Sequence, residues 1–273
     1  MSGAPDPLYV RARRALLDAL DALEPHLDAI VLVGAQAVYL HTADTELAVA
    51  EYTTDADLAV APGDLADSPL IGDALTASGF TPRSHPGGWL SPDGIYLDVM
   101  VPDALAGPGT RGARLGAHGK RAARRAKGLE ATLVDRERRT IVALDSNDSR
   151  SREIWIAGSA ALSVAKLHKI GERVEAQDRV RDKDALDLYR LFQAVPTAQL
   201  AEGMRRLRAH PLSIDATAKA LSTLRALFTR RDAEGIEMTV RAAGDPADSD
   251  VMRASMVTLA ADLLRVADLE AET

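Results

Sequence analysis

The sequence predicts an α+β fold: a small mixed sheet with helices on one side, then an all-helical C-terminal half. Two observations lead there. Short apolar runs of strand type alternate with helical stretches up to about residue 157, separated by Gly and Pro breakers. After Gly158 the pattern has helical periodicity only. The boundary therefore falls near 155–160, with a first domain over residues 1–157 and a second over 158–273. Within the first domain, residues 107–140 form a basic segment.

The elements follow in order. Leu16, Leu17, Leu20 and Leu23 share one face of a helix over the first 25 residues, which Pro25 stops. Ala29–Val33 is an apolar strand run broken by Gly34, and a helix over Ala35–His41 packs closely behind it. Thr54–Ala61 is a second strand, closed by Pro62-Gly63. A helix over Leu65–Ser78 ends at Gly79. Short strands follow at Phe80–Arg83, Gly88–Leu90 and Ile95–Val101, the last two joined by a Ser91-Pro92-Asp93-Gly94 turn. The Gly-, Arg- and Ala-rich stretch 107–128 reads as a basic loop or mobile helix, and weak strands fit Thr140–Leu144 and Ile154–Ala157. Helices are expected over Ser159–Arg173, Lys183–Val195, Thr197–Ala209, Ile214–Thr229 and Asp250–Ala267, with Ser159 and Asp250 as N-caps.

Composition narrows the functional classes. Of 273 residues, 47% are hydrophobic and 4% aromatic, so the core is built mostly from Ala, Leu and Val. With no cysteine there is no disulfide framework, thiol catalysis or Cys-ligated zinc site. No apolar run approaches the roughly 18 residues of a membrane span, and the charged N-terminus does not read as a signal peptide, so a cytoplasmic protein that makes no membrane contact is expected. A net charge of −7 argues against a dedicated nucleic-acid binder, but the charge is unevenly spread. Residues 1–110 hold 4 Lys/Arg against 16 Asp/Glu, and residues 111–140 hold 10 against 3. The Arg111–Arg139 segment is either a solvated counterweight to the acidic half or a strip that meets a polyanion.

The residues with chemical potential begin with Asp55 and Asp57, two apart in Tyr52-Thr-Thr-Asp-Ala-Asp-Leu58. On a strand they point to one face and repel unless a cation sits between them. A divalent metal suits them, since Mg²⁺ takes one or two carboxylates plus substrate phosphates; a solvated edge or Asx turn is the alternative. Asp98, in Ile95-Tyr-Leu-Asp-Val-Met-Val101, is an acid amid strong strand formers: taken alone a structural or edge-strand Asp, and with Asp55 and Asp57 on a neighbouring strand a third carboxylate for two-metal work. Gly34, at a strand–helix junction, either serves tight packing or lets backbone N–H groups approach an anion, where Thr53 could add a hydroxyl. Lys166, at the edge of a buried helical stripe with Lys169 and Arg173 along the same side, either reaches a triphosphate or snorkels to solvent. His168 reads as a surface or packed histidine. Asp184 and Asp187 share a helix face; Asp184 would pair with Lys166 or act as a base, or these acids simply favour a helix N-terminus.

In order along the chain, Val31-Leu-Val-Gly-Ala-Gln-Ala-Val-Tyr-Leu40 with Tyr52-Thr-Thr-Asp-Ala-Asp-Leu58, then Lys166-Leu-His-Lys-Ile-Gly-Glu-Arg173, then Arg181-Asp-Lys-Asp-Ala-Leu-Asp-Leu-Tyr189 resemble the nucleotidyltransferase toxins of the AbiEii/MenT family. The resemblance covers residues 31–189. It implies a DNA polymerase β-like core whose cleft the helical domain completes. It further implies an enzyme that moves NMP from NTP to an acceptor hydroxyl with Mg²⁺ (or Mn²⁺). Asp55 and Asp57 match the family's metal ligands, Asp98 its third carboxylate, Lys166 its nucleotide-contacting lysine and Asp184 an acid of the same site; Gly34, Ala35 and Thr53 fall in the phosphate region. The family has Gly-Ser or Gly-Gly where this chain has Gly34-Ala35, so a serine hydroxyl is missing. An RNA acceptor, namely a tRNA 3′ end docked on Arg111–Arg139, a toxin role and an antitoxin partner are likewise implied. The alternatives are transfer to a small molecule or protein, and a catalytically silent nucleotide- or RNA-binding protein of the same fold.

Overall fold

The structure is a computed structural model that describes residues 5–42, 53–176, 182–244 and 249–268. Tyr52 and Arg181, the first residues of two of the motifs above, lie outside the described residues. The fold is α+β with a mixed sheet. The chain forms two compact units. One takes Met1–Tyr39, Ala50–Ala126 and Arg136–Ala157; the other takes Leu40–Val49, Lys127–Asp135 and Gly158–Thr273. Residues 127–135 of the basic segment thus fall in the second unit.

The first unit opens with α1 (Pro7–Ala22), where the Asp6 carboxylate accepts the Leu8 N–H at 2.7 Å and Pro occupies the first turn. Ala12, Leu16, Leu17 and Leu20 face inward and are fully buried. A 3₁₀ turn at Glu24–Ala29 leads into β1 (Ile30–Val33), buried along its whole length. Next come α2 (Gly34–Thr42), β2 (Asp55–Val60), α3 (Ile71–Ala77), β3 (Thr81–Pro82), β4 (Gly88–Leu90), β5 (Tyr96–Pro102), β6 (Arg124–Ala126), β7 (Arg136–Val142) and β8 (Ser151–Ala157).

Among the described residues these strands form one eight-stranded sheet in the order β3-β4-β5-β2-β1-β8-β7, with β6 also on β5. β2 and β5 run parallel, as do β1 and β8 and also β5 and β6; β1 is antiparallel to β2. The helix α1 packs on β2, β5 and β8. The turn before β5 forms as read: Gly94 has φ +75° and donates its N–H to Ser91 O, while Ser91 Oγ accepts the Ile95 N–H.

Three expectations change here. The helix over Leu65–Ser78 begins only at Ile71, because a residue before proline is pushed out of the α region and Pro69 itself lacks an N–H. The basic stretch 107–128 is neither all loop nor helix, since it carries β6. That strand gains its stability from pairing with Met100–Pro102, not from its own residues, which have no β-branched side chain. The weak strands near 140 and 154 are the ends of a longer hairpin of two seven-residue strands.

The second unit holds α4 (Ser159–Ala176), α5 (Lys183–Ala194), α6 (Thr197–Ala209), α7 (Ile214–Phe228), α8 (Glu234–Ala243) and α9 (Ser249–Asp268). Here α4 packs against α5, α6 and α7, and α9 packs against α6, α7 and α8. The α8 helix escapes sequence reading because Gly235 in its first turn lowers helix propensity. The expected caps are corrected too. At the start of α4 the N–H of Ala161 is accepted by Asp135 Oδ2 at 3.1 Å. Asp250 lies inside the first turn of α9, ion-paired to Arg231 at 3.2 Å. Among the described residues no helix is long and apolar enough to cross a membrane.

Candidate active site

In the first unit, sheet register brings the predicted carboxylates together. Val33 on β1 is the register partner of Asp57 on β2, Asp57 of Asp98 on β5, and Asp98 of Gly88 on β4. Register partners on adjacent strands project to the same face, so Asp57 and Asp98 stand about one strand spacing, ~4.8 Å between backbones, apart. Asp55 shares that face by alternation, and its own partner is Tyr96.

Gly34 abuts this row. It has φ +72°, which a side chain rarely tolerates, and an added Cβ would overlap the Asp57 carboxylate, 2.8 Å from its Cβ and Cγ. The turn into α2 thus places the helix N-terminus beside the Asp57 carboxylate, where the macrodipole favours negative charge. Ala35 is buried and brings only a methyl group. Thr53, also buried, spends its hydroxyl on Asp55 Oδ1 at 2.6 Å instead of offering it to a phosphate.

A network behind the row holds α2 to β2. Gln36 Nε2 donates to Asp55 O and to Ala12 O, both at 3.1 Å, and Gln36 Oε1 accepts from Arg13 Nε at 3.0 Å. Arg13 and Gln36 are buried, so their polar atoms need these partners.

Asp98 has a partner that sequence reading missed. Arg124, on β6, donates to Asp98 Oδ2 from Nε at 3.3 Å and from Nη2 at 3.1 Å. Asp98 Oδ1 is buried and accepts no hydrogen bond. Arg124 sits 26 residues away on a strand without a strand signature, so no local pattern could have indicated the pair. The row ends at Gly88, where the His85 ring fills the space of the absent side chain, its Nε2 2.6 Å from where a Cβ would lie. Among the described residues no three His, Asp or Glu side chains converge tightly enough to hold a metal ion by themselves. The donor set nonetheless suits a hard cation: carboxylates only, on one face, with one buried oxygen lacking a partner.

In the second unit the structure brings Lys166 and Asp184 together. Lys166, 3% exposed, donates from Nζ to Asp184 Oδ1 at 2.7 Å and to Asp187 Oδ2 at 2.6 Å. Snorkelling is thereby excluded. Arg173 pairs with Asp184 Oδ2, and Arg190 with Asp187 Oδ1 at 3.2 Å, so three cations and two carboxylates close a buried network. Burial disfavours the Lys166 charge, but Asp184 and Asp187 outweigh it and hold the ammonium above the usual lysine value. Burial likewise opposes the Asp184 charge, and Lys166, Lys169 and Arg173 overcome it and hold the carboxyl below its usual range. A carboxylate so stabilised is a weak base, so pairing, not proton abstraction, is its role here. His168 is packed, with Nε2 2.8 Å from Ala216 O.

The basic segment is largely spent internally. Arg124 is bound to Asp98; Arg125 to Asp103 Oδ1 at 2.5 Å; Arg121 to the carbonyls of Arg83 and Ser84. Arg136 and Arg138 stack on Trp155, each 4.6 Å from the ring centroid. Arg111, Lys120 and Lys127 remain exposed. Compared with known families and curated proteins, the chain matches no family and no curated protein.

Proposed function

We propose that the chain is a metal-dependent nucleotidyltransferase with a polymerase β-like core in its first unit. The observation that supports this best is the register row Val33–Asp57–Asp98, with Gly34 pressed against the Asp57 carboxylate at the start of a helix. An acceptor oxygen attacks the α-phosphorus of an NTP, the bond to the bridging α–β oxygen breaks, pyrophosphate leaves, and the hydroxyl proton passes to water.

Asp55 and Asp57 would hold Mg²⁺ (or Mn²⁺), and Asp98 would serve a second ion. When bound, such an ion offsets triphosphate charge and makes the acceptor hydroxyl more acidic. Gly34 keeps the space beside Asp57 clear of any side chain, and Gln36 holds the β2 backbone at Asp55. The same reading gives Lys166 to the triphosphate. In its own unit that ammonium is already bound by two carboxylates, so its contribution is tested separately.

The experiment combines purified protein, Mg²⁺, each of four labelled NTPs and total tRNA. Label transfer is expected, abolished by Asp57→Ala and reduced by Lys166→Ala. No transfer to RNA, to protein or to itself with any NTP sinks the reading.

Transfer to a small cationic acceptor or a protein side chain is the second reading. It is favoured by the internal pairing of most arginines in the Arg111–Arg139 segment. Unlabelled tRNA that competes for transfer supports the RNA acceptor; a lack of competition supports the second reading.

A further inference from the structure

Tyr96 is the one aromatic among the exposed large hydrophobic side chains of the described residues, at 45% exposure. A lone exposed tyrosine needs no explanation in itself. This one stands out by position. It is the register partner of Asp55 and lies two residues before Asp98 on β5, so its ring rises from the face that carries all three carboxylates.

A cation covers the ring. The Arg83 guanidinium carbon lies 4.1 Å from the Tyr96 centroid, and among the described residues Arg83 makes no ion pair. Its backbone is anchored on both sides: the Arg83 N–H donates to Gly88 O at 2.8 Å, and Arg83 O accepts from Arg121 Nη2 at 3.1 Å. An exposed ring and an unneutralised guanidinium in one stack present π-surface and positive charge together. Bases stack on such surfaces whatever their sequence, while the guanidinium favours the attached phosphates.

We infer that Tyr96 and Arg83 form the subsite that stacks the base of the incoming nucleoside triphosphate. The inference rests on the nucleotidyltransferase reading and adds the surface that holds the nucleoside. Tyr96 supplies the ring, and Arg83 keeps it in place and meets the phosphate chain.

The test is binding by calorimetry to the full chain with Mg²⁺, using α,β-methylene analogues of the four NTPs and, as a base-free probe, inorganic tripolyphosphate. Tyr96→Ala is expected to weaken the nucleotide analogues about tenfold while leaving tripolyphosphate unchanged. Tyr96→Phe should keep wild-type affinity, and Arg83→Ala should weaken both kinds of probe. Because Tyr96 is exposed, its variants should unfold at the wild-type temperature. Wild-type affinity of Tyr96→Ala for every analogue overturns the subsite while leaving the transferase reading intact. A wild-type chain that binds no analogue overturns both.

Discussion

At the scale of single residues, Gly34 has little conformational freedom. Its positive φ and the Asp57 carboxylate lying where a Cβ would stand each exclude a side chain. Gly34→Ala is expected to abolish label transfer and to destabilise the fold by about 1–3 kcal/mol, the usual cost of a strained backbone position. Thermal unfolding and the transfer assay together check this; a variant with wild-type stability and turnover would remove Gly34 from the site. The alternation of Asp55 and Asp57, and the strand around Asp98, were legible from residue order because a period of two is a local property. Arg124 was not, since nothing near residue 124 shows that its guanidinium ends on Asp98. Nor could residue order show that the Thr53 hydroxyl is spent on Asp55.

At the scale of elements, α4 and α5 are joined by the buried network of Lys166, Asp184, Asp187, Arg173 and Arg190. Lys166→Met leaves two buried carboxylates with less compensation and is expected to cost about 3–5 kcal/mol. Chemical unfolding measures it, and a loss under 1 kcal/mol would mean that the arginines suffice. The pH dependence follows from the shifts. Asp184 is depressed, so its stabilisation is present above the ordinary carboxyl value of 3.8 and is lost as pH falls below it, toward the depressed value. Lys166 is raised, so its stabilisation is fully present below the ordinary lysine value of 10.5 and is lost only as pH rises through the higher folded value. From these groups the melting temperature of the wild type should be flat between about pH 5 and 9 and fall below about pH 4. A midpoint near pH 7 in that melting curve would contradict the assignment. Most helices of this unit were readable from their periodicity; α8 was not, because tertiary packing outweighs the weak propensity around Gly235.

At the scale of the whole molecule, the charge map of the chain differs from the charge map of the fold. Ten Lys/Arg between residues 111 and 140 suggest a polyanion strip, yet the arginines at 121, 124, 125, 136 and 138 are engaged within the protein. If RNA binds, few of these charges are available, and the slope of log K against log salt should be shallow, about −1 to −3. Lys120→Ala with Arg111→Ala should weaken RNA binding, while Arg125→Ala should mainly lower stability. A slope steeper than about −6 would show that the internal pairs open to meet RNA.

Chain order alone was enough to reveal an α+β protein, the change to helices after Gly158 and the pair of strand acids, since each follows from periodicity and breakers within a few residues. Folding determined what those residues meet. Strand register aligned Asp57 with Asp98, β6 brought Arg124 to the third carboxylate, and burial turned Lys166 from a free cation into the centre of an ion network. Such pairings join residues far apart in the chain, and their energy depends on distance and desolvation, quantities that exist only once the backbone has folded.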